Sequence, residues 1–269
     1  MNRNSNVYTV IYAALLCVLV AILLTVAAVG LKDQQKANSD NEKKQQILAS
    51  VSSVLGKEVT FENAADIWNE LDMDKNMRVV DVKGNEVSGV NAFEITTKAQ
   101  FKAGVVKEEA QLPIFVANIQ GKPYYIMCLY GAGLWDAVWG YISVEADGST
   151  IAGASFDHAG ETAGLGAKIK DDPAFAAAFI GKHVFKNGEF APVQVLKAGK
   201  TPLNGADQVD AITGATKTSD CVSLIVENSL SGYKAALQKV ATSNAPCQAC
   251  PADSCCASDS LNVEPVNVQ

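Results

Sequence analysis

Between Arg3 and Lys32 the chain carries no charged residue, and from Val10 to Leu31 it is almost wholly Val, Leu, Ile and Ala. As a helix rising 1.5 Å per residue, that run reaches roughly 33 Å, enough to cross the hydrocarbon core of a bilayer. It divides the chain before any other feature is weighed: a short N-terminal segment at 1–9, a transmembrane helix at 10–31, and a remainder that must fold outside the bilayer. A cleaved signal peptide is the competing reading, with Ala27-Ala28 ahead of a cleavage site. Signal cores usually span about 7–15 apolar residues. This run is longer and has only Arg3 before it, so a retained anchor is expected. Cys17 lacks the small residues that precede a lipidated cysteine.

Lys32, Lys36, Lys43 and Lys44 follow the run closely, so a count of positive charge puts the large domain in the cytoplasm. The formal net charge of -7 leaves no basic footprint for nucleic acid. The segment 32–49 is polar and helix-permissive and reads as a stalk. A folded domain is expected at 50–241, and an irregular Cys-containing tail at 242–269.

Within the domain the signals are mostly strands and tight turns. Ile47, Leu48, Val51, Val54 and Leu55 predict a short amphipathic helix, and 63–69 another. Met77–Val82 alternates and stops at Lys83-Gly84-Asn85. Pro113–Ile119 and Pro123–Leu129 flank Gln120-Gly121-Lys122, and Gly140–Glu145 and Thr150–Phe156 flank Asp147-Gly148, which predicts two hairpins. Asp172-Pro173 reads as a helix start, and 192–196 as a strand. From Ser223 to Val240, apolar residues recur at Leu224, Ile225, Leu230, Tyr233, Leu237 and Val240, close to helical spacing, with Thr218, Ser219 and Asp220 as N-cap candidates. Hairpins outnumber strand–helix–strand crossovers. The fold class expected is therefore α+β, a mainly antiparallel sheet with flanking helices, plus the one N-terminal transmembrane helix.

Several chemistries are excluded by absence. The sequence has no P-loop, no Gly-x-Ser-x-Gly elbow and no His-Glu-x-x-His. Gly131-Ala132-Gly133 lacks the third glycine of a dinucleotide fingerprint, so no nicotinamide site is visible. A hydrolase built from Ser155, Asp157 and His158 fails because neighbouring residues in a strand face opposite ways.

Three stretches remain. Tyr130-Gly131-Ala132-Gly133-Leu134-Trp135 and Asp157-His158-Ala159-Gly160-Glu161-Thr162-Ala163-Gly164-Leu165-Gly166 each follow an apolar strand. They read either as ordinary turns or as loops whose backbone approaches a flat ligand, with Leu134, Trp135 or Leu165 covering its face. The third is Asp210-Ala211-Ile212-Thr213-Gly214-Ala215-Thr216, a hydroxyl-bearing turn at the start of the last helix. It reads as a plain cap, or as a place where free N–H groups and the positive dipole end favour phosphate, with Lys217 adding charge. In the tail, Cys247-x-x-Cys250 and Cys255-Cys256 read as disulfide partners in an oxidising compartment or, less simply, as ligands of a metal or cluster.

The turn Asp210-x-x-Thr213-Gly214-Ala215-Thr216 resembles the attachment motif of the FMN-binding domain family. The segments Gly131-x-Gly133-Leu134-Trp135 and His158-x-Gly160-Glu161-Thr162-x-Gly164-Leu165-Gly166 resemble further segments of it. Thr213 stands where serine is common, and Ala163 where proline is frequent. In that family a flavin transferase takes FMN from FAD, with Mg²⁺, and joins it through a phosphoester to the last threonine of the motif, here Thr216. The resemblance implies Thr213, Gly214, Ala215, Lys217, Gly133, Leu134, Trp135, His158, Glu161, Thr162, Gly164 and Leu165 as the surrounding flavin site. An anchor followed by this domain is similar to the C subunits of the sodium-translocating NADH:quinone reductases. The G subunits of the Rnf ferredoxin:NAD⁺ oxidoreductases share the same plan, and a non-redox anchored assembly module is the alternative of another class. The first of these resemblances implies single-electron relay beside the FMN-bearing B subunit and iron–sulfur-bearing membrane subunits. It also implies a single-pass protein of the bacterial inner membrane with its flavin domain on the periplasmic side, against the lysine count. No carboxylate lies within the span, so a sodium path is expected elsewhere.

Overall fold

The computed structural model describes residues 6–102, 104–197 and 199–244. Cys247, Cys250, Cys255 and Cys256, and with them both readings of the tail, lie outside the described residues. The first helix, α1, runs without a break from Asn6 to Ala49. It therefore takes in both the apolar stretch and the polar segment expected as a stalk. Its apolar part stands exposed, whereas Ile47 and Leu48 in its last turn are fully buried. The helix that carries the apolar stretch thus ends inside the packed core. After a break at Ser50-Val51 come α2 (Ser52–Leu55), closed by Gly56 at φ 65°, and α3 (Ala64–Glu70).

The strands follow as β1 (Met77–Val80), the short pair β2 (Phe101–Lys102) and β3 (Val105–Val106), and then the long β4 (Leu112–Ile119), β5 (Lys122–Ala132), β6 (Ala137–Val144) and β7 (Ile151–His158). β1, β4, β5, β6 and β7 form a five-stranded antiparallel sheet in the order β1-β4-β5-β6-β7. The β4–β5 hairpin turns on Gln120 and Gly121, at φ 52° and 77°, a pair of left-handed residues that matches the twist of the flanking strands. Beyond the sheet lie α4 (Lys168–Asp171), α5 (Pro173–Ala177), β8 (Phe185–Lys186), β9 (Glu189–Phe190), the parallel pair β10 (Gln194–Leu196) and β11 (Gln208–Asp210), and α6 (Thr216–Asn244). At the start of α5 the Asp172 carboxylate accepts from the Ala174 N–H, with Pro173 at the first helical position.

Both faces of the sheet are covered. Leu112, Ile114, Met127, Leu129, Val138 and Ile142 form one face and pack against Val222, Val226, Leu230, Tyr233 and Leu237 of α6. Phe115, Ala117, Ile126, Cys128 and Tyr141 form the other and meet Ile47, Leu48 and Trp68. This explains why β4 and β5 are apolar almost throughout instead of alternating. The architecture is the expected α+β class, arranged as helix, antiparallel sheet, helix. Cys128 packs as a small hydrophobe, and burial pushes its thiol up to about 11, which leaves it inert.

Beside β8, Asp207 accepts from His183 N and Nδ1 and from Lys186 Nζ. Burial works against its charge, but the bonds and charges of Lys186 and His183 outweigh it and hold the carboxyl below its ordinary value. A carboxyl that is more acidic folded than unfolded stabilises fully above its unfolded value of about 3.9 and loses that contribution as pH falls through the folded value. Resistance to urea, followed from pH 5 downward, is therefore expected to fall less steeply in Asp207→Asn than in the parent. Parallel curves would remove Asp207 from the acid response.

Candidate functional site at the start of the last helix

Three segments distant in sequence meet at the N-terminal end of α6. Thr216 is the first residue of that helix and is exposed, as are Thr213, Gly214 and Lys217. Gly214 takes φ 84°, which a side chain would resist, and a Cβ there would come within 3.0 Å of Leu165 Cδ2. The turn is therefore tight and open, and Leu165 lies beside it. Ala215 is buried and contributes backbone, its N–H donating to Ile212 O. The first turn of a helix has N–H groups with no intrahelical partner, which suits an anion next to the Thr216 hydroxyl.

Thr218 and Ser219 are not caps. Both are buried inside the first turn of α6. The Ser219 hydroxyl donates to Ala215 O and accepts from Ile212 N, which locks the Thr213–Ala215 turn onto the helix. The Thr218 hydroxyl donates to Glu161 Oε2 at 2.7 Å. Polar residues just ahead of a helical run read as caps from sequence; here the helix starts two residues earlier and turns them inward.

Glu161 brings in the second and third segments. Its Oε1 accepts from the backbone N–H of Leu134 at 2.7 Å and of Trp135 at 3.2 Å. Around it stand exposed apolar side chains: Leu134, Leu165, and Trp135 at 71% exposure. Thr162 O accepts from Leu165 N and Ala167 N, and Gly164 turns the chain at φ 73°. The 158–166 loop is thus closed without the proline that Ala163 replaces. The two glycines Gly133 and Gly166 make room for the carboxylate, since a Cβ at either would lie 2.5 Å from a Glu161 oxygen.

His158 sits at the base of this loop, where its Nδ1 accepts from Glu161 N. Its own N–H donates to Asp157 Oδ1. Asp157 is 5% exposed, and its carboxylate also accepts from Lys170 Nζ and from Gln46 Nε2 of α1. Gln46 Oε1 in turn accepts from Trp139 Nε1, and Ser155 Oγ donates to Gln46 O. Asp157, His158 and Ser155 are all engaged in holding loops and α1, so no hydrolytic triad forms. Trp135 and Trp139, four apart in sequence, have opposite fates: one lines the site, the other meets α1. Nothing in the local pattern around Gln46 marked it, because its partners lie more than ninety positions away.

Replacing Gln46 by Leu leaves Trp139 Nε1 and one Asp157 bond without their partner. A half-buried polar group so stranded costs about 1–3 kcal/mol. The thermal midpoint of Gln46→Leu should drop measurably; an unchanged midpoint would show that water replaces the amide at no cost.

Two hollows open on this part of the molecule. The larger, ≈ 810 Å³, lies between α1–α2 and α4–α5 and does not reach Thr216. The smaller, ≈ 650 Å³, is lined by Lys168, Lys182, Asp210 and Thr213 and adjoins the turn. The turn and its apolar rim hold the residues the sequence singles out, whereas the Ser52, Ser53 and Ser155 hydroxyls on the larger hollow each donate to a backbone carbonyl. Among the described residues no cluster of three metal-ligating side chains occurs.

Comparison with known proteins finds the same region. The FMN-binding domain family matches residues 133–231, which contain the 158–166 and 210–216 segments and the Gly133–Trp135 end of the first. The C subunit of the Na(+)-translocating NADH-quinone reductase of Vibrio vulnificus is 30% identical over 75% of this chain and 82% of its own length. Its counterpart in Pseudomonas aeruginosa is 26% identical over 81% and 88%. The crystal structure of the same subunit from Parabacteroides distasonis superposes with a TM-score of 0.68 at 46% identity, covering 77% of this chain and 96% of that one. The Shewanella oneidensis NqrC structure, at 24% identity and a TM-score of 0.61, shares the fold.

Proposed function

This chain belongs to the NqrC family, the C subunits of the Na(+)-translocating NADH-quinone reductases, and from that premise we propose that it is a membrane-anchored electron-transfer subunit carrying FMN on Thr216. The observation that carries the reading is the position of the Thr216 hydroxyl. Thr216 is exposed at the first residue of α6, beside a glycine turn at φ 84° that packs close to the exposed Leu165.

The residues fit the group. The α6 N-terminus and Lys217 suit a phosphate, and Leu134, Trp135 and Leu165 suit a flat aromatic ring system. Attachment forms one bond, from Thr216 Oγ to phosphorus, and breaks the FAD pyrophosphate, releasing AMP and the hydroxyl proton; a flavin transferase with Mg²⁺ supplies the donor. Bound there, the flavin supplies one-electron chemistry, while the protein supplies attachment, orientation and electrostatics. NADH oxidation and sodium passage fall to other subunits, among them the FMN-bearing B subunit and iron–sulfur-bearing membrane subunits.

The apolar part of α1 anchors the chain in the bacterial inner membrane as a single span. The domain then stands on the periplasmic side, as the resemblance implies and against the lysine count. The Vibrio, Pseudomonas and Parabacteroides relatives all carry the NADH-quinone reductase name, which favours that family over the Rnf G subunits sharing the motif. The test is a denaturing gel under ultraviolet light, after co-expression with a flavin transferase. A fluorescent band that survives denaturation is expected; a dark band from fully folded protein overturns the reading.

A further inference from the structure

One buried side chain touches all three segments of the site. Glu161 is 7% exposed, yet among the described residues no Lys, Arg or His pairs with it. Its charge is met by the Leu134 and Trp135 N–H groups, by the Thr218 hydroxyl and by the positive end of α6. A buried carboxylate held only by donors from two other segments is costly unless those segments stay in place. The cradle is specific: Gly133 and Gly166 each leave a gap that only an absent Cβ permits.

We propose that Glu161 is the positioning residue of the flavin seat, tying the Leu134–Trp135 loop to the first turn of α6 so that the apolar rim keeps a fixed place relative to Thr216. The proposal rests on the flavin reading above and assigns Glu161 a role that does not include touching the flavin. Its carboxylate points at backbone and Thr218, two residues from the attachment oxygen and on the buried side of the turn. Attachment at Thr216 then does not need Glu161, but orientation of the attached group does. Gln at this position keeps an oxygen for both N–H groups, and its amide donates to Thr218 Oγ. Ala keeps neither.

The test uses the full chain in detergent, co-expressed with a flavin transferase, as parent, Glu161→Ala and Glu161→Gln. Four quantities are read: in-gel flavin fluorescence per protein, visible circular dichroism, flavin anisotropy, and hydrogen exchange at the Leu134 and Trp135 amides. Glu161→Ala is expected to keep its band but lose the flavin dichroism and anisotropy, and to exchange those two amides about tenfold faster or more. Glu161→Gln is expected to match the parent. Parent-like exchange and dichroism in Glu161→Ala overturn the proposal. So does a Gln variant as defective as Ala, which would assign the effect to charge instead of position. Should Glu161→Ala misfold, Thr218→Val removes one donor without changing shape. It is expected to speed exchange at the same amides, and parent-like exchange there overturns the proposal equally. A dark band in the parent overturns the flavin reading alone, because amide exchange still decides what Glu161 holds.

Discussion

Replacing Thr216 by Ala is expected to remove covalent flavin completely. No other hydroxyl occupies the same place: Thr213 lies before the glycine turn, and the Thr218 and Ser219 hydroxyls are buried and bonded. The change should not unfold the protein. Thr216 is exposed at a helix start, and Ala has the higher helix propensity of the two, by a few tenths of a kcal/mol. Parent and variant should therefore share a thermal midpoint while the variant band is dark under ultraviolet light and its intact mass lacks the added group. Thr216→Ser, which keeps the hydroxyl, should restore part of the signal. A fluorescent Thr216→Ala band would move the attachment point elsewhere and with it the meaning of the turn.

The second large effect concerns stability. Trp68 is 0% exposed and sits beneath the end of α1, edge-on to Phe93 at 5.4 Å and to Phe115 at 6.0 Å between ring centroids. Its Nε1 donates to Asp74 Oδ1, and Lys44 Nζ of α1 lies 5.5 Å from its ring. Truncating a buried aromatic of this size to Ala costs about 3–5 kcal/mol, a large share of the roughly 5–15 kcal/mol that holds a domain together. Urea unfolding of Trp68→Ala should show that loss as a lower midpoint at similar slope. The folded fraction should still carry flavin, because Trp68 packs on the face of the sheet opposite α6. A loss under about 1 kcal/mol would mean that Phe93 and Phe115 collapse into the space.

The local features of the chain were legible where neighbours in sequence do the work. Gln120-Gly121 became a left-handed two-residue turn, Asp172-Pro173 a capped helix start, and the run after Thr216 a helix. The motif around Thr216 was also legible, because a tight turn and a hydroxyl lie within a few residues of each other. Thr218 and Ser219 look like caps in the sequence and are not, for the converse reason. Their partners, Glu161 and Ile212, determine where the helix begins, and one of them is 57 positions away.

The sequence alone determined an apolar stretch long enough to span a bilayer, hairpin-rich α+β character and a threonine on a glycine turn at a helix start. These follow from hydrophobic run length, strand punctuation and backbone sterics, which act between near neighbours. Only the tertiary structure decided that α1 continues from the apolar stretch into the core, that Gln46 of that helix meets Asp157, and that Gly133 and Gly166 open a place for Glu161. A buried polar group must find its partner wherever the fold brings one, and no local pattern records that distance in the chain.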